Sequence, residues 1–366
     1  MTTPDVLCSH HNNLFGGTVD DAFARPLQPI RNLMQFRSGS DGSTPMLRSL
    51  RAGDDLINLS SSGQPQLANP PLQFNDLGGD NFQVAISVQE PATLKKLLPN
   101  IAARLGIPVE ELTKKIADEG VTLVERRPDA VHHNLGFGDQ HALRSMVKSC
   151  LVLLALNVGN EVVRESQFSE SRNFVLQGGE QFIGARLKVD TRDLPGTPEL
   201  RARFSPFFNL IYLRSNEDGR VVGHFTVYNM VGWMFVLCES GGPKNCKFAL
   251  ANNPADPAIW SDNTSELPDI PFEWLESIGS PIRFERMRER LIEMEGVYHQ
   301  RANASEIDRV FEDVMAKHRI RNGNYLSKES IGELADRIAR YALGIEHRET
   351  LTPDEIQNLL TGKPPR

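Results

Sequence analysis

Four cysteines in 366 residues, Cys8, Cys150, Cys238 and Cys246, are too few and too scattered for a disulfide framework, so reduced thiols are expected. The longest apolar run, Cys150 to Val158, falls well short of the roughly 20 residues that cross a bilayer, and no membrane partner is expected. Basic charge is not in excess: 40 Lys and Arg against 47 Asp and Glu leave a formal net charge of -7. That balance excludes a global basic field for broad phosphate binding. Any nucleic-acid contact must be local, supplied by a basic patch, a divalent ion or a partner chain. Walker, Rossmann and G-x-S-x-G patterns are all lacking, and the Gly136 to Gly138 and Leu176 to Gly179 segments are too short to be phosphate loops. The opening MTTPDV has no basic stretch ahead of an apolar one, so the expected location is cytoplasmic.

The length is enough for two or three domains with substantial cores. Residues 1-36 hold a Cys/His/Asn cluster followed by a helix that Pro26 and Pro29 should break. Residues 37-80 read as a loop-rich linker with short strands at most. Within residues 81-280, Asn81 to Val88 alternates as a strand, and two helices follow, with Gly106 and Gly120 as stop signals. Asp139 to Glu161 is the strongest core element. Leu143, Met146, Val147, Cys150, Leu151, Leu154 and Leu156 or Val158 recur near helical spacing, which makes Cys150 a buried thiol rather than a nucleophile. Phe208 to Ser240 reads as three antiparallel strands with a hairpin signal at Asp218-Gly219, and Gly241 to Pro271 reads as irregular. Residues 281-366 read as charged amphipathic helices, with Ser305 a cap for the second. Their balanced charge suits packing, homo-oligomer formation or a protein partner more than a DNA-reading helix.

Cys8 and His11 form a Cys-x-x-His pair, thiolate and imidazole at a spacing that suits a tetrahedral zinc, although such a site takes four donors. No second pair of this type occurs. The histidines His132, His133 and His141 sit in a glycine-containing stretch that reads as a polar linker, and His224 reads as packing or surface.

Cys8-x-x-His11-Asn12-Asn13-x-x-Gly16, followed by Val19-Asp20 and the FARPLQPIRNLM run, resembles the C-terminal half of the HNH nuclease finger. The segments Leu143 to Gly159, Arg172 to Gly179 and Gly223 to Cys238 resemble the domain that follows this finger in bacterial proteins, so the likeness covers loosely the first 240 or so residues. In that family a hairpin and a helix pinch a divalent ion, and a histidine activates the water that cleaves the phosphodiester. By resemblance, Cys8 and His11 take the places of the second structural zinc pair, Asn12 matches the polar helix residue nearest the catalytic metal, and His10 is an additional imidazole. The resemblance implies a structural Zn2+, a catalytic Mg2+ or other divalent cation, and DNA as partner, in a prokaryotic setting. The family's first zinc pair and its general-base histidine fall upstream of Cys8, where MTTPDVL stands, so the chain is not expected to be active alone.

The expected fold is α+β: a partial ββα-metal (HNH-type) finger, a central helix packed on an antiparallel sheet, and a helical C-terminal region. The expected function is that of a metal-dependent DNA endonuclease family member. Its competitor is a non-catalytic nucleic-acid or protein interaction module.

Overall fold

The computed structural model describes residues 9–37, 44–53, 55–68, 72–78, 81–86, 94–119, 122–125, 139–277, 284–320, 325–343 and 347–350. The chain is a mixed α+β protein of two compact units, each assembled from two separated stretches: Met1–Pro45 with His133–His299, and Met46–His132 with Gln300–Arg366.

In the first unit, helix α1 (Ser9–Phe15) passes through one π-helical turn, Gly16–Asp20, into α2 (Asp21–Ala24), a 3-10 turn at Arg25–Leu27 and α3 (Gln28–Leu33). Pro26 and Pro29 each stand in the opening turn of a new segment, where a missing N–H forfeits no helical bond. The helix is therefore broken where the prolines fall. Phe15, Val19, Leu27, Ile30, Met34 and Phe36 are buried, all in the same apolar cluster as the central helix.

The second unit begins with β1 (Leu47–Ala52), β2 (Asp55–Leu59) and β3 (Pro65–Leu67), an antiparallel three-stranded sheet. The hairpin of β4 (Leu72–Gly78) and β5 (Asn81–Ile86) follows. The stretch read as loop-rich is thus held by strands, short as expected but paired. Helices α4 (Leu94–Leu105) and α5 (Val109–Glu119) bury Leu98, Ile101, Ala102 and Leu112 in a small core, and Gly106 ends α4 in the left-handed conformation at φ +68°. Strand β6 (Thr122–Glu125) comes next.

The first unit resumes at α6 (Gln140–Val158). The Asp139 carboxylate caps it by accepting from the Ala142 N–H at 2.9 Å, and Gly159 closes it at φ +97°. By length and composition α6 passes as a membrane-crossing helix, yet 67% of its apolar window is buried inside the protein, which is the condition of a core helix. Leu143, Met146, Val147, Cys150, Leu151 and Leu154 are buried as the periodicity predicts, while Leu156 is exposed. Burial pushes the Cys150 thiol far up, so it stays protonated and packs as an apolar group.

After α6 come α7 (Asn160–Arg164), a 3-10 turn at Ser166–Phe168, α8 (Ser169–Gln177), α9 (Glu180–Arg186), β7 (Leu187–Asp190) and α10 (Thr197–Phe204). Arg144 of α6 donates to the Val175 and Leu176 carbonyls at 2.9 and 2.7 Å, satisfying the C-terminal end of α8. The strands β8 (Asn209–Ser215), β9 (Val221–Val227), β10 (Val231–Cys238), β11 (Lys247–Asn253) and β12 (Asp256–Ser261) complete an antiparallel sheet in the order β12-β11-β8-β9-β10-β7. The three predicted strands are β8, β9 and β10.

β11 and β12 correct the irregular reading of Gly241 to Pro271. β11 buries alternate residues through small alanines, Ala249 and Ala251, and β12 is a largely exposed edge containing Pro257, so neither carries a strong apolar alternation. One sheet face packs Leu213, Phe225, Trp233, Phe235 and Leu237 toward the α6 core. The opposite face packs Leu210, Tyr212, Val222 and Met234 with Leu200, Phe204, Ile270 and Leu275. Leu275 belongs to α11 (Phe272–Glu276).

α12 (Phe284–Lys317) is one helix of 34 residues. Two helices with Ser305 capping the second were expected; Ser305 instead lies inside α12, because Ala302, Asn303 and Ala304 are carried within the helix rather than breaking it. In the second unit, α13 (Lys328–Leu343) lies against the end of α12 through His318–Glu333 at 2.9 Å and Arg337–Asp313 at 3.1 Å, and β13 (His347–Thr350) pairs antiparallel with β6. The expected final helix, from Thr352, lies outside the described residues.

Candidate functional site

The motif residues His10, His11, Asn12 and Asn13 stand on α1, with Asn12 exposed; Cys8 lies outside the described residues. The His10 and His11 rings are 5.4 Å apart edge to face, and His11 lies 5.9 Å from the buried Phe15 ring. Asp20 is engaged elsewhere: its carboxylate accepts from Lys148, by 2.5 Å to Oδ1 and a further bond to Oδ2, and from the Ser145 hydroxyl at 2.6 Å. A structural zinc takes four donors. Among the described residues no group of three His, Cys, Asp or Glu side chains converges, so those present do not fit a complete metal centre. His132 and His133 lie outside the described residues, and His141 Nδ1 is 3.1 Å from the Arg144 guanidinium.

A second arrangement is built on the opposite sheet face. A recess of about 330 Å³ is lined by Asp193, Leu194, Thr197, Pro198, Arg201, Arg286 and Arg290. The β7–α10 connection supplies Asp193 and Leu194, α10 supplies Thr197, Pro198 and Arg201, and the opening turns of α12 supply Arg286 and Arg290. Arg286 and Arg290 are four residues apart and share a helix face by the 3.6-residue period.

Two carboxylates tie the three guanidinium groups together. Asp193 Oδ1 accepts from Arg286 and, at 3.4 Å, from Arg290. Glu293 accepts from Arg201 at 2.5 and 3.3 Å and from Arg290 at 3.2 Å. Among the ion-paired groups, three positive charges thus face two negative ones, leaving one positive charge in excess. Burial, with Arg290 beside it, pulls the Arg286 guanidinium below its ordinary value, against an opposing contribution from Glu289. Arg290 Nε is buried without a hydrogen-bond partner among the described residues. Clustered, partly desolvated guanidinium groups with a spare donor are the chemistry that holds an oxyanion, since each presents a planar fork matched to carboxylate or phosphate.

Beside the recess, Arg192 rivets the connection in place. It donates to both Asp190 oxygens at 2.7 to 3.0 Å, to Ser277 Oγ at 2.8 Å and to the Trp274 carbonyl at 3.0 Å, with its guanidinium 3.8 Å from the Trp274 ring centroid. Burial alone would raise the Asp190 carboxyl, but the Arg192 hydrogen bonds hold it below its ordinary value. His224 is buried among these groups. Burial brings its pKa down to about 4 despite the Asp190 carboxylate, so the imidazole is neutral at ordinary pH. Its ring occupies the space above Gly232, where an added Cβ would lie 2.6 Å from His224 Cε1, and its Nδ1 is 3.2 Å from Thr226 Oγ1. Packing is therefore its role, as its alternation with Phe225 and Val227 suggested.

Sequence reading missed the arginine recess. The available signal was Arg286-x-x-x-Arg290 at one helical turn, masked by the alternating glutamates of the same segment. Nothing local joins these residues to Asp193. Compared with known families, curated proteins and solved structures, the chain matches no family model, no curated protein and no solved structure.

Proposed function

We propose that this chain is a non-catalytic binding module for nucleic acid, contacting phosphate through Arg201, Arg286 and Arg290. The observation that carries the reading is the recess in which three guanidinium groups outnumber their carboxylate partners. It supplies the local basic patch that a chain of net charge -7 requires if it is to meet a polyanion.

The choice of nucleic acid, with DNA first, rests on the resemblance of Cys8 to Gly16 to the HNH finger. In that reading Cys8 and His11 are half of a zinc site and Asn12 is the residue nearest a catalytic Mg2+ or other divalent cation. The described donors are too few for such a centre, so no hydrolytic step is assigned to them, and the binding reading is preferred to the nuclease one. The charged helices α12 and α13 suit a protein partner or self-association as an additional role.

The test is fluorescence anisotropy with a short DNA duplex across a salt series. Wild type should bind, and R286A/R290A should weaken binding and reduce the slope of log K against log salt by about 2, roughly one per lost phosphate contact. Unchanged affinity and slope in a folded double variant would overturn the proposal.

A further inference from the structure

We infer that the arginine recess is fitted to the terminal phosphomonoester of a nucleic-acid strand, with Asp193 as the internal anion that the phosphate displaces. The inference rests on the binding-module reading and adds to it which phosphate is taken and how the site is kept closed without it.

Asp193 is held through its two chain neighbours. Its neighbour on one side, Arg192, is locked to Asp190, Ser277 and the Trp274 ring; its neighbour on the other, Leu194, is buried at 5% exposure. The backbone at Asp193 is therefore fixed from both sides, whereas its side chain is 49% exposed. A carboxylate so placed leaves the arginines by rotating into solvent, with no rearrangement of the chain.

Its contacts are those of a ligand. A single oxygen, Oδ1, takes both Arg286 and Arg290, so Asp193 gives neither guanidinium a two-oxygen match, and Arg290 Nε has no acceptor among the described residues. A phosphate offers three terminal oxygens to the same donors and can satisfy them together.

Charge selects among phosphates. With Asp193 turned in, the ion-paired groups carry one positive charge in excess. With Asp193 turned out, Arg201, Arg286 and Arg290 keep Glu293 as their one ion-pair partner among the described residues, and two positive charges remain among the paired groups. A phosphodiester brings one negative charge and does not repay the release of Asp193, whereas a phosphomonoester carries about -1.5 to -2 at pH 7 and matches the vacated site. A volume of about 330 Å³ also lies at the small end of ligand sites, which suits a strand end.

The experiment compares one short duplex carrying 5′-phosphate ends with the same duplex carrying 5′-hydroxyl ends, using the full chain, anisotropy at about pH 7, and inorganic phosphate as competitor. Wild type should prefer the phosphorylated duplex by about ten-fold. D193N, which removes the internal anion, should tighten binding of the phosphorylated duplex, R286K should weaken it, and each variant's melting curve reports whether it is folded. Inorganic phosphate should erase the difference between the two duplexes and leave hydroxyl-ended binding in place. Equal affinity for the two duplexes, with both bound, overturns this inference and leaves the binding-module reading standing. Failure to bind either overturns both. Binding of inorganic phosphate as tightly as the phosphorylated duplex makes the ligand a free small phosphate and overturns the assignment to a strand end.

Discussion

Asp20 and Lys148, 128 residues apart in the chain, form an ion pair in which the ammonium reaches both carboxylate oxygens and the Ser145 hydroxyl adds a third hydrogen bond. The residue that belongs to the finger-like motif in sequence is thus a fastening between the N-terminal helices and α6. Lys148 also lies 5.5 Å from the Phe15 ring centroid, so the same side chain holds both ends of the π-helical turn.

Loss of that fastening should loosen the N-terminal segment. D20A leaves the Lys148 ammonium, only 12% exposed, without its counter-charge, while the 38% exposure of Asp20 tempers the loss. The expected cost is about 1 to 3 kcal/mol by urea denaturation. Stability unchanged within about 0.5 kcal/mol would show that the apolar contacts of Phe15 and Val19 carry the docking unaided.

Gly232 and His224 make a steric pair. G232A places a methyl 2.6 Å from His224 Cε1 on a strand buried throughout, and overpacking of this kind costs about 1 to 3 kcal/mol. H224A should relieve much of that cost, so the double variant is expected to be more stable than the sum of the singles predicts. Simple additivity would mean that the two sites do not meet.

Acid should weaken the fold through His224. Its pKa is lowered from 6.5 to about 4 by burial, so the unfolded chain binds the extra proton first. Stability is complete above about pH 6.5 and falls between there and about pH 4, by roughly 3 kcal/mol in all. Asp190, held below its ordinary 3.8 by Arg192, loses its contribution only at still lower pH, so the two windows are separable. Thermal melts at a series of pH values should show the first decline in wild type and a flatter profile in H224N; matching profiles would remove His224 from the account.

Arg192 should matter to both the fold and the recess. R192A leaves the buried Asp190 carboxylate unpaired, with an expected cost of about 3 to 5 kcal/mol. R192K, which retains the charge but not the fork to Asp190, Ser277 and Trp274, should be folded yet bind the phosphorylated duplex more weakly, because the neighbouring Asp193 and Leu194 lose their anchor. Wild-type duplex affinity in R192K would separate the rivet from the recess.

Local signals made part of this fold legible. α6 announced itself by its apolar period, and β8 to β10 by alternation around Asp218-Gly219; the loop there runs through Asn216 and Arg220, whose backbones bond at 3.2 Å. β11 and β12 were not legible because their pairing partners, not their composition, make them strands. The unity of α12 was hidden by Ser305, which reads as a cap, whereas the helix runs on through it and buries Val310 and Val314 beyond it. The recess was the least legible of all: Arg290 and Asp193 are 97 residues apart, and only the tertiary fold brings them together.

The most direct test of the central claim is hydrogen exchange of the wild-type chain with and without the phosphorylated duplex. The account predicts added protection in the β7–α10 connection, the first turn of α10 and the opening turns of α12, where the recess is lined. Protection confined to Ser9–Asp20, with none at those three places, would contradict it and return the nucleic-acid contact to the finger-like motif.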